Sequence, residues 1–324
     1  MNSIKQSVKN YQDEETIKSM YKKSFKKDAN NITISKLSGG MKNAVYLVDD
    51  DSEKVVLKIA PQDESKMIYA DRDIIWWETE MLKKMENIKF PSPRLLYYDD
   101  SLEVCNAPYF FMSFLDGKNY SEIKDELSDK EKSKIEYKLG CLSKKICNIK
   151  GDSFFLPSHP YMKFNDNYEF VYNLFNLLLY NAKNEKLDLG VNTYNTIENI
   201  LNLYRDELKN ISNLCLTHTD IWDGNILVKD GEISGVVDFS DLYYCDELMT
   251  FYFHTIDGKT SKHFLSGFDK KELSHDEKIR IEIYRMYVIL KMIVDCKLKG
   301  YGKFDWMYDN LNTRINILKK VKNI

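Results

Sequence analysis

The 324-residue chain predicts a two-lobed α+β protein, with a small β-rich N-terminal lobe over residues 1–112 and a larger, mainly helical C-terminal lobe over 113–324. Short runs of β-branched and aromatic residues separated by turn sequences occupy residues 32–112, whereas from about residue 121 apolar residues recur at helical spacing. A hydrophobic content of 43% is enough to fill a core of this size.

The strands of the first lobe come in succession. Ile32 to Leu37 leads into Ser38-Gly39-Gly40-Met41-Lys42-Asn43, then Ala44 to Val48, an acidic turn, and Val55 to Ala60. A glycine pair between two strands lets backbone come close to a ligand, so Gly39, Gly40 and Asn43 are candidates for covering phosphate oxygens. Lys58 lies within Val-Val-Leu-Lys-Ile-Ala, where an unpaired ammonium is costly to bury; it needs either a solvent face or a specific anionic partner. Periodicity offers that partner. Over Asp73–Met85 a helix would place Ile75, Glu78, Leu82 and Met85 on one face, so Glu78 faces inward and Glu80 falls on the solvated side. A further strand, Arg94 to Tyr98, precedes the continuous apolar run from Pro108 to Leu115, which ends in the Gly117 turn as a segment joining two lobes would.

In the second lobe, Ser128-Asp-Lys-Glu131 is a capping box opening a helix with an inward stripe of Ile135, Leu139, Leu142 and Ile146. Further helices are expected along Ile197, Leu201, Tyr204, Leu208 and Ile211, from Ser274-His-Asp-Glu277 through Ile283 to Val294, and along Leu311, Ile315 and Leu318. Between them lies the chemically informative segment. Leu214 to Leu216 enters a loop carrying His218, Asp220, Asp223 and Asn225; Ile226–Val228 and Ile233–Val237 flank a Lys-Asp-Gly-Glu turn that favours a tight hairpin; Asp238 follows. An Asp, an Asn five positions on and a second Asp after a hairpin form the set that phosphoryl transfer uses to orient a hydroxyl and hold magnesium. Magnesium takes oxygen ligands and few protein groups, so the amide oxygen of Asn225 and the carboxylate of Asp238 would suffice, with phosphates and water completing the shell.

The pattern His-x-Asp-x-x-x-x-Asn followed by two hydrophobic residues and Asp resembles the aminoglycoside phosphotransferase and choline kinase family, relatives of the protein kinases, over most of residues 30–320. The resemblance implies a protein-kinase-like fold and a nucleotide cleft. It makes Asp220 the catalytic base, Asn225 and Asp238 the metal ligands, His218 a brace of the loop, and Lys58 paired with Glu78 the holder of nucleotide phosphates. Met112, Ser113 and Leu115 would form the hinge that receives the base of ATP or GTP; Ser113 stands where the family commonly has an acidic residue, and the choice between the two nucleotides stays open. Cys147 stands where the family often has a histidine, and Asp246 matches an Asp that steadies the segment after the metal ligand. The end of the chain, Tyr301 to Asn316, looks like the aminoglycoside 2''-phosphotransferase branch.

An aminoglycoside is therefore the first acceptor expected, with Asp223, Asp241, Asp246, Glu247, Asp305 and Asp309 as acidic contacts for a polycation; choline, a sugar or a macrolide are the alternatives. A non-catalytic binding protein of the same fold would have no need of Asp220 beside the metal ligands, and a protein kinase would carry Asp-Phe-Gly where this chain has Asp238-Phe-Ser. The net charge of −3 gives no electrostatic case for nucleic acid. Six cysteines without a Cys-x-x-Cys pair and five histidines without metal-ligand spacing suggest neither zinc nor a disulfide framework. The start lacks the apolar stretch of a signal peptide and no segment is long enough to span a bilayer, so a cytoplasmic location is expected.

Overall fold

The computed structural model describes residues 8–37, 40, 42–190, 193–256 and 259–322. The N-terminal part contains α1 (Glu14–Phe25), β1 (Thr33–Lys36), β2 (Ala44–Asp49), β3 (Lys54–Ile59), α2 (Ile75–Asn87), β4 (Leu95–Asp99) and β5 (Tyr109–Ser113). Its strands form one antiparallel sheet in the order β1-β2-β3-β5-β4. β3 is central, and burial runs unbroken from Val55 to Ile59, whereas β2 alternates buried and half-buried positions. Lys58 sits in that central strand between Val45 and Phe110.

α1 is an element that the strand-led reading leaves out. Asp13 caps it by accepting from the Thr16 N–H, and its Tyr21 and Phe25 rings lie 6.1 and 5.1 Å from Phe111 of β5, closing one face of the sheet. On the other helix, Ile75, Glu78, Leu82 and Met85 are all buried, as their spacing predicts. The helix begins at Ile75 and not at Asp73, which holds a left-handed φ of 52°.

The C-terminal part runs through β6 (Lys118–Asn119), α3 (Tyr120–Ile123), α4 (Asp129–Cys147), β7 (Phe154–Leu156), β8 (His159–Phe164), α5 (Asn167–Asn184), α6 (Thr193–Leu203) and α7 (Arg205–Lys209). It continues with β9 (Leu214–His218), β10 (Ile226–Lys229), β11 (Glu232–Val236), β12 (Leu242–Asp246), β13 (Thr255–Ile256) and β14 (Lys259–Thr260). Three helices complete it: α8 (Lys262–Gly267), α9 (His275–Lys299) and α10 (Asp305–Val321). The expected capping box of Ser128 with Glu131 is formed, and Ser274 with Glu277 forms a second one at the start of α9. The single helix expected over Ile197–Ile211 is instead two, α6 and α7, divided at Tyr204, whose buried hydroxyl donates to Leu318 O of α10 at 2.6 Å.

α4 and α8 cross where each has a glycine. A Cβ on Gly140 would come within 2.2 Å of Phe264 O, and one on Gly267 within 1.9 Å of Tyr137 O, so the backbones touch. The β10–β11 hairpin turns through Asp230 and Gly231, both with positive φ (52° and 74°), the signature of a two-residue type I′ turn. The link between the lobes lies on this hairpin: at Gly117, with φ 149°, a Cβ would sit 2.6 Å from Ser234 Oγ. Among the described residues no helix is long and apolar enough to cross a membrane.

Candidate active site

β9 delivers the loop. Its last residue, His218, pairs with Leu242 of β12, and the next residue, Thr219, donates from both its N–H and its hydroxyl to Asp241 O at 2.9 and 2.8 Å. The chain after β9 is thereby tied to the chain entering β12, which holds Asp220 and Asp238 in one neighbourhood. Asn225, at the end of a short 3-10 turn, spans the gap between them. Its Nδ2 donates to Asp220 O at 2.8 Å and to Asp220 Oδ2 at 2.9 Å, while its own carbonyl accepts from Val237 N–H at 2.9 Å. Asp238 takes a left-handed φ of 63°, a conformation that non-glycine residues adopt at some cost.

Lys58 meets a specific partner and not a solvent face. Its Nζ lies 2.8 and 2.7 Å from the two oxygens of buried Glu78 and 3.1 Å from Asp238 Oδ1. Burial would lower the Lys58 pKa, but the carboxylates of Asp238 and Glu78 outweigh it and raise the pKa above its ordinary value. Asp238 is held below the usual carboxylate range by Lys58 in spite of burial. Asp220 goes the other way: burial first, then the nearby Asp241 and Asp238, push its carboxyl well above the ordinary range. His218 is buried beside Phe239, accepts the Asp220 N–H on Nδ1 at 3.2 Å, and has its pKa lowered to about 4 by burial, so it stands as a neutral ring inside the loop.

Beside this group lies a second charged cluster, of which the sequence singled out only Asp241. Lys42 reaches Asp71 at 2.8 Å and Asp241 at 3.5 Å; Lys291 of α9 reaches Asp71 at 3.1 Å and Asp241 at 3.0 Å. Lys42 follows the glycine run and was open to notice there. Asp71 lies in a stretch without any pattern, and Lys291, inside the expected helix from Ser274 to Val294, is not marked out from its neighbours, so only folding brings them in. Taken together, three lysines (Lys42, Lys58, Lys291) face five carboxylates (Asp71, Glu78, Asp220, Asp238, Asp241). The excess of carboxylates over lysines in this cleft is what a divalent cation would relieve, and the amide oxygen of Asn225 and the carboxylate of Asp238 are donors of the kind magnesium takes. Among the described residues no three His, Cys, Asp or Glu side chains form a metal cage.

The other anticipated residues divide clearly. Gly40 has a φ of 60° with open space around it, while Gly39 lies outside the described residues. Asn43 lines a small cavity with Lys42, Asp71, Glu78 and Ser240. Met112 is buried on β5 opposite Val56; Ser113 exchanges bonds with Arg94, its N–H donating to Arg94 O and its Oγ accepting from Arg94 N, both at 2.9 Å; Leu115 packs where Gly235 leaves room for it. Asp223 is ion-paired to Lys124 at 2.7 Å. Asp246 is a correction. It pairs with Leu214 at the end of the β9–β12 ladder opposite His218, fully buried, with Oδ2 accepting from Arg280 and Tyr284 at 2.8 Å each. Glu247 is likewise buried at that far end, with Asn213 at 2.8 Å and Lys270 at 3.3 Å, so neither reaches an acceptor beside Asp220. Asp305 and Asp309 are exposed on α10; neither shares a hydrogen bond or ion pair with the Asp220 loop.

The family model described as the phosphotransferase enzyme family matches residues 33–255. No curated protein matches the chain. Among solved structures, the streptomycin–ATP–APH(2'')-IIa ternary complex is 19% identical, covers 96% of this chain and 97% of its own, and superposes with a TM-score of 0.63. A thermostable mutant of aminoglycoside phosphotransferase APH(4)-Ia with AMP-PNP and hygromycin B is 14% identical, with 93% and 98% covered and a TM-score of 0.63. A Haemophilus somnus protein assigned as a fructosamine-3-kinase is 16% identical, with 94% and 97% covered and a TM-score of 0.66. At these identities the likeness is one of fold.

Proposed function

Since this chain belongs to the phosphotransferase enzyme family, we propose that it transfers the γ-phosphate of ATP or GTP to a hydroxyl of a small molecule. The observation that carries the reading is the meeting of Lys58, Glu78 and Asp238 from three separate elements beside the Asp220–Asn225 pair. Asp220 accepts the acceptor's proton on its carboxylate, and burial with Asp241 and Asp238 nearby makes that carboxylate a stronger base than an exposed one. Asn225 orients that carboxylate through Oδ2. Lys58, fixed by Glu78, binds nucleotide phosphates; the segment of Gly39, Gly40 and Asn43 covers them, and Met112, Ser113 and Leu115 receive the base. Magnesium, held by Asn225 and Asp238, supplies charge neutralisation at the phosphates when bound. Most of the rate acceleration in such a site is positioning and electrostatics.

An aminoglycoside hydroxyl is the first acceptor proposed, on the likeness of the chain's end to the 2''-phosphotransferase branch. A second reading, an acceptor with few or no cationic groups such as a sugar, rests on the carboxylates themselves. Asp223 is neutralised by Lys124, and Asp241 by Lys291 and Lys42, so neither of these two expected contacts is free for a polycation. Incubation with labelled ATP or GTP, magnesium and a panel of aminoglycosides, sugars, choline and macrolides tests both. Turnover of an aminoglycoside that weakens with salt supports the first reading. Turnover of a neutral sugar alone selects the second, and turnover of nothing, with no nucleotide bound, removes the kinase reading.

A further inference from the structure

The cluster beside the proposed phosphate site contains one lysine held differently from the rest. Lys58 is fixed on the central strand, with both Glu78 oxygens on its ammonium at 2.7 and 2.8 Å. Lys291 is fixed on α9 and sits squarely between Asp71 and Asp241, at 3.1 and 3.0 Å. Lys42 is carried on the connection between β1 and β2, two residues after Gly40, and has one short contact, to Asp71 at 2.8 Å, and one long, to Asp241 at 3.5 Å. Asp71 is fully buried, yet neither of its oxygens has an aligned hydrogen bond. Its ion pairs are close in distance and poor in direction, so they satisfy charge without locking geometry.

Position adds to this. Asp241 follows Asp238 by three residues, and Lys42, 3.5 Å from Asp241, lines the same small cavity as Glu78, the partner of Lys58, and Ser240, which donates to Asp238 at 3.0 Å. Lys42 therefore borders the cleft beside the Lys58–Asp238 pair, where the transferring phosphate must come if Asp220 and Asp238 act as proposed. A triphosphate brings oxygens that a loop-borne ammonium can meet without moving a strand or a helix. Lys291 stays behind to neutralise Asp71 and Asp241.

We propose that Lys42 is a second phosphate-binding lysine of the nucleotide site, stored on Asp71 and Asp241 across the cleft until a polyphosphate takes it. The inference rests on the kinase reading. It commits to the phosphates, not the base, as its ligand, and it makes the Lys42–Asp241 contact a latch between the lobes that nucleotide releases.

Binding of ATP, ADP and AMP to the full chain in magnesium, measured by calorimetry without acceptor, tests it with Lys42→Met, Lys42→Arg, Asp71→Asn and Lys58→Met. Losing a charge-assisted contact should weaken ATP by about ten- to a hundredfold in Lys42→Met, leave AMP unchanged, and be largely rescued in Lys42→Arg. Asp71→Asn frees Lys42, so ATP should bind as well as or better than in the wild type while the nucleotide-free protein melts lower. An unchanged ratio of ATP to AMP affinity in Lys42→Met, or an equal loss for both nucleotides, overturns the proposal. If Lys58→Met loses ATP while Lys42→Met does not, this inference alone fails; if the wild type binds no nucleotide, the kinase reading fails and takes the inference with it.

Discussion

Asp220 and His218 are two residues apart and do different things. Asp220 points its carboxylate to Asn225 Nδ2, and in the proposed reaction it meets the acceptor hydroxyl and not the nucleotide. Asp220→Asn should therefore lower kcat by about 10²- to 10⁴-fold with nucleotide affinity nearly unchanged, as steady-state kinetics beside a binding titration would show; wild-type turnover in this variant removes Asp220 from the chemistry. His218 has no route to a ligand. Its ring is buried and neutral, with a pKa lowered from 6.5 to about 4 by burial. The unfolded chain takes up that proton first as pH falls, so the stability owed to the neutral ring is present above pH 6.5 and is lost between there and about pH 4. The span corresponds to about 3 kcal/mol at most. Denaturant melts of the wild type should weaken across this window, and His218→Asn, which keeps an acceptor for the Asp220 N–H, should flatten the dependence.

The elements that bring these residues together depend on close approaches. The hairpin of β10 and β11 stands against the inter-lobe link because Gly117 and Gly235 carry no side chain to hold it off. The same device joins α4 to α8 at Gly140 and Gly267, where backbone meets backbone. Gly140→Leu has no space to enter, since the obstacle is the Phe264 carbonyl and not a flexible side chain. It should destabilise the protein by about 3 kcal/mol or more, read as a lowered midpoint in chemical denaturation, whereas Lys138→Ala on the exposed side of α4 should change it little. An unaltered midpoint for Gly140→Leu would show that the two helices can separate freely.

Across the whole molecule, the two lobes are joined by more than their link. Trp77 Nε1 of α2 donates to Leu242 O at 2.8 Å, Lys58 bonds Asp238, and Lys291 of α9 grips Asp71. Buried ion pairs of this kind add little net stability but fix geometry, because breaking one strands a desolvated charge. With negative charge in excess at their centre, magnesium and nucleotide together should stabilise the folded chain more than either alone. At about 100 times the dissociation constant the gain is about 2.7 kcal/mol, seen as a rise in melting temperature that EDTA abolishes. A rise that survives EDTA would take magnesium out of the assembly.

Local chemistry determined a good part of this. The Asp-Gly turn, the Ser128 capping box, the inward face of Glu78 and the strand bearing Lys58 follow from propensity, spacing and the cost of burying an ammonium, all of which act within a few residues. The convergence of Asp220, Asn225 and Asp238 was legible for the same reason: a short hairpin separates them, and the β9–β12 pairing closes the loop. Tertiary structure alone decided which charges meet. Asp246 and Glu247 look like candidates for a cation in the chain, yet they stand at the far end of the β9–β12 ladder and are spent on Arg280 and Lys270. Asp71 and Lys291 carry no mark in the sequence, yet they become neighbours of Asp241 because the fold lays an N-terminal turn against α9. A charge pair between distant elements depends on how their helices and sheets are docked, and no run of neighbouring residues encodes that.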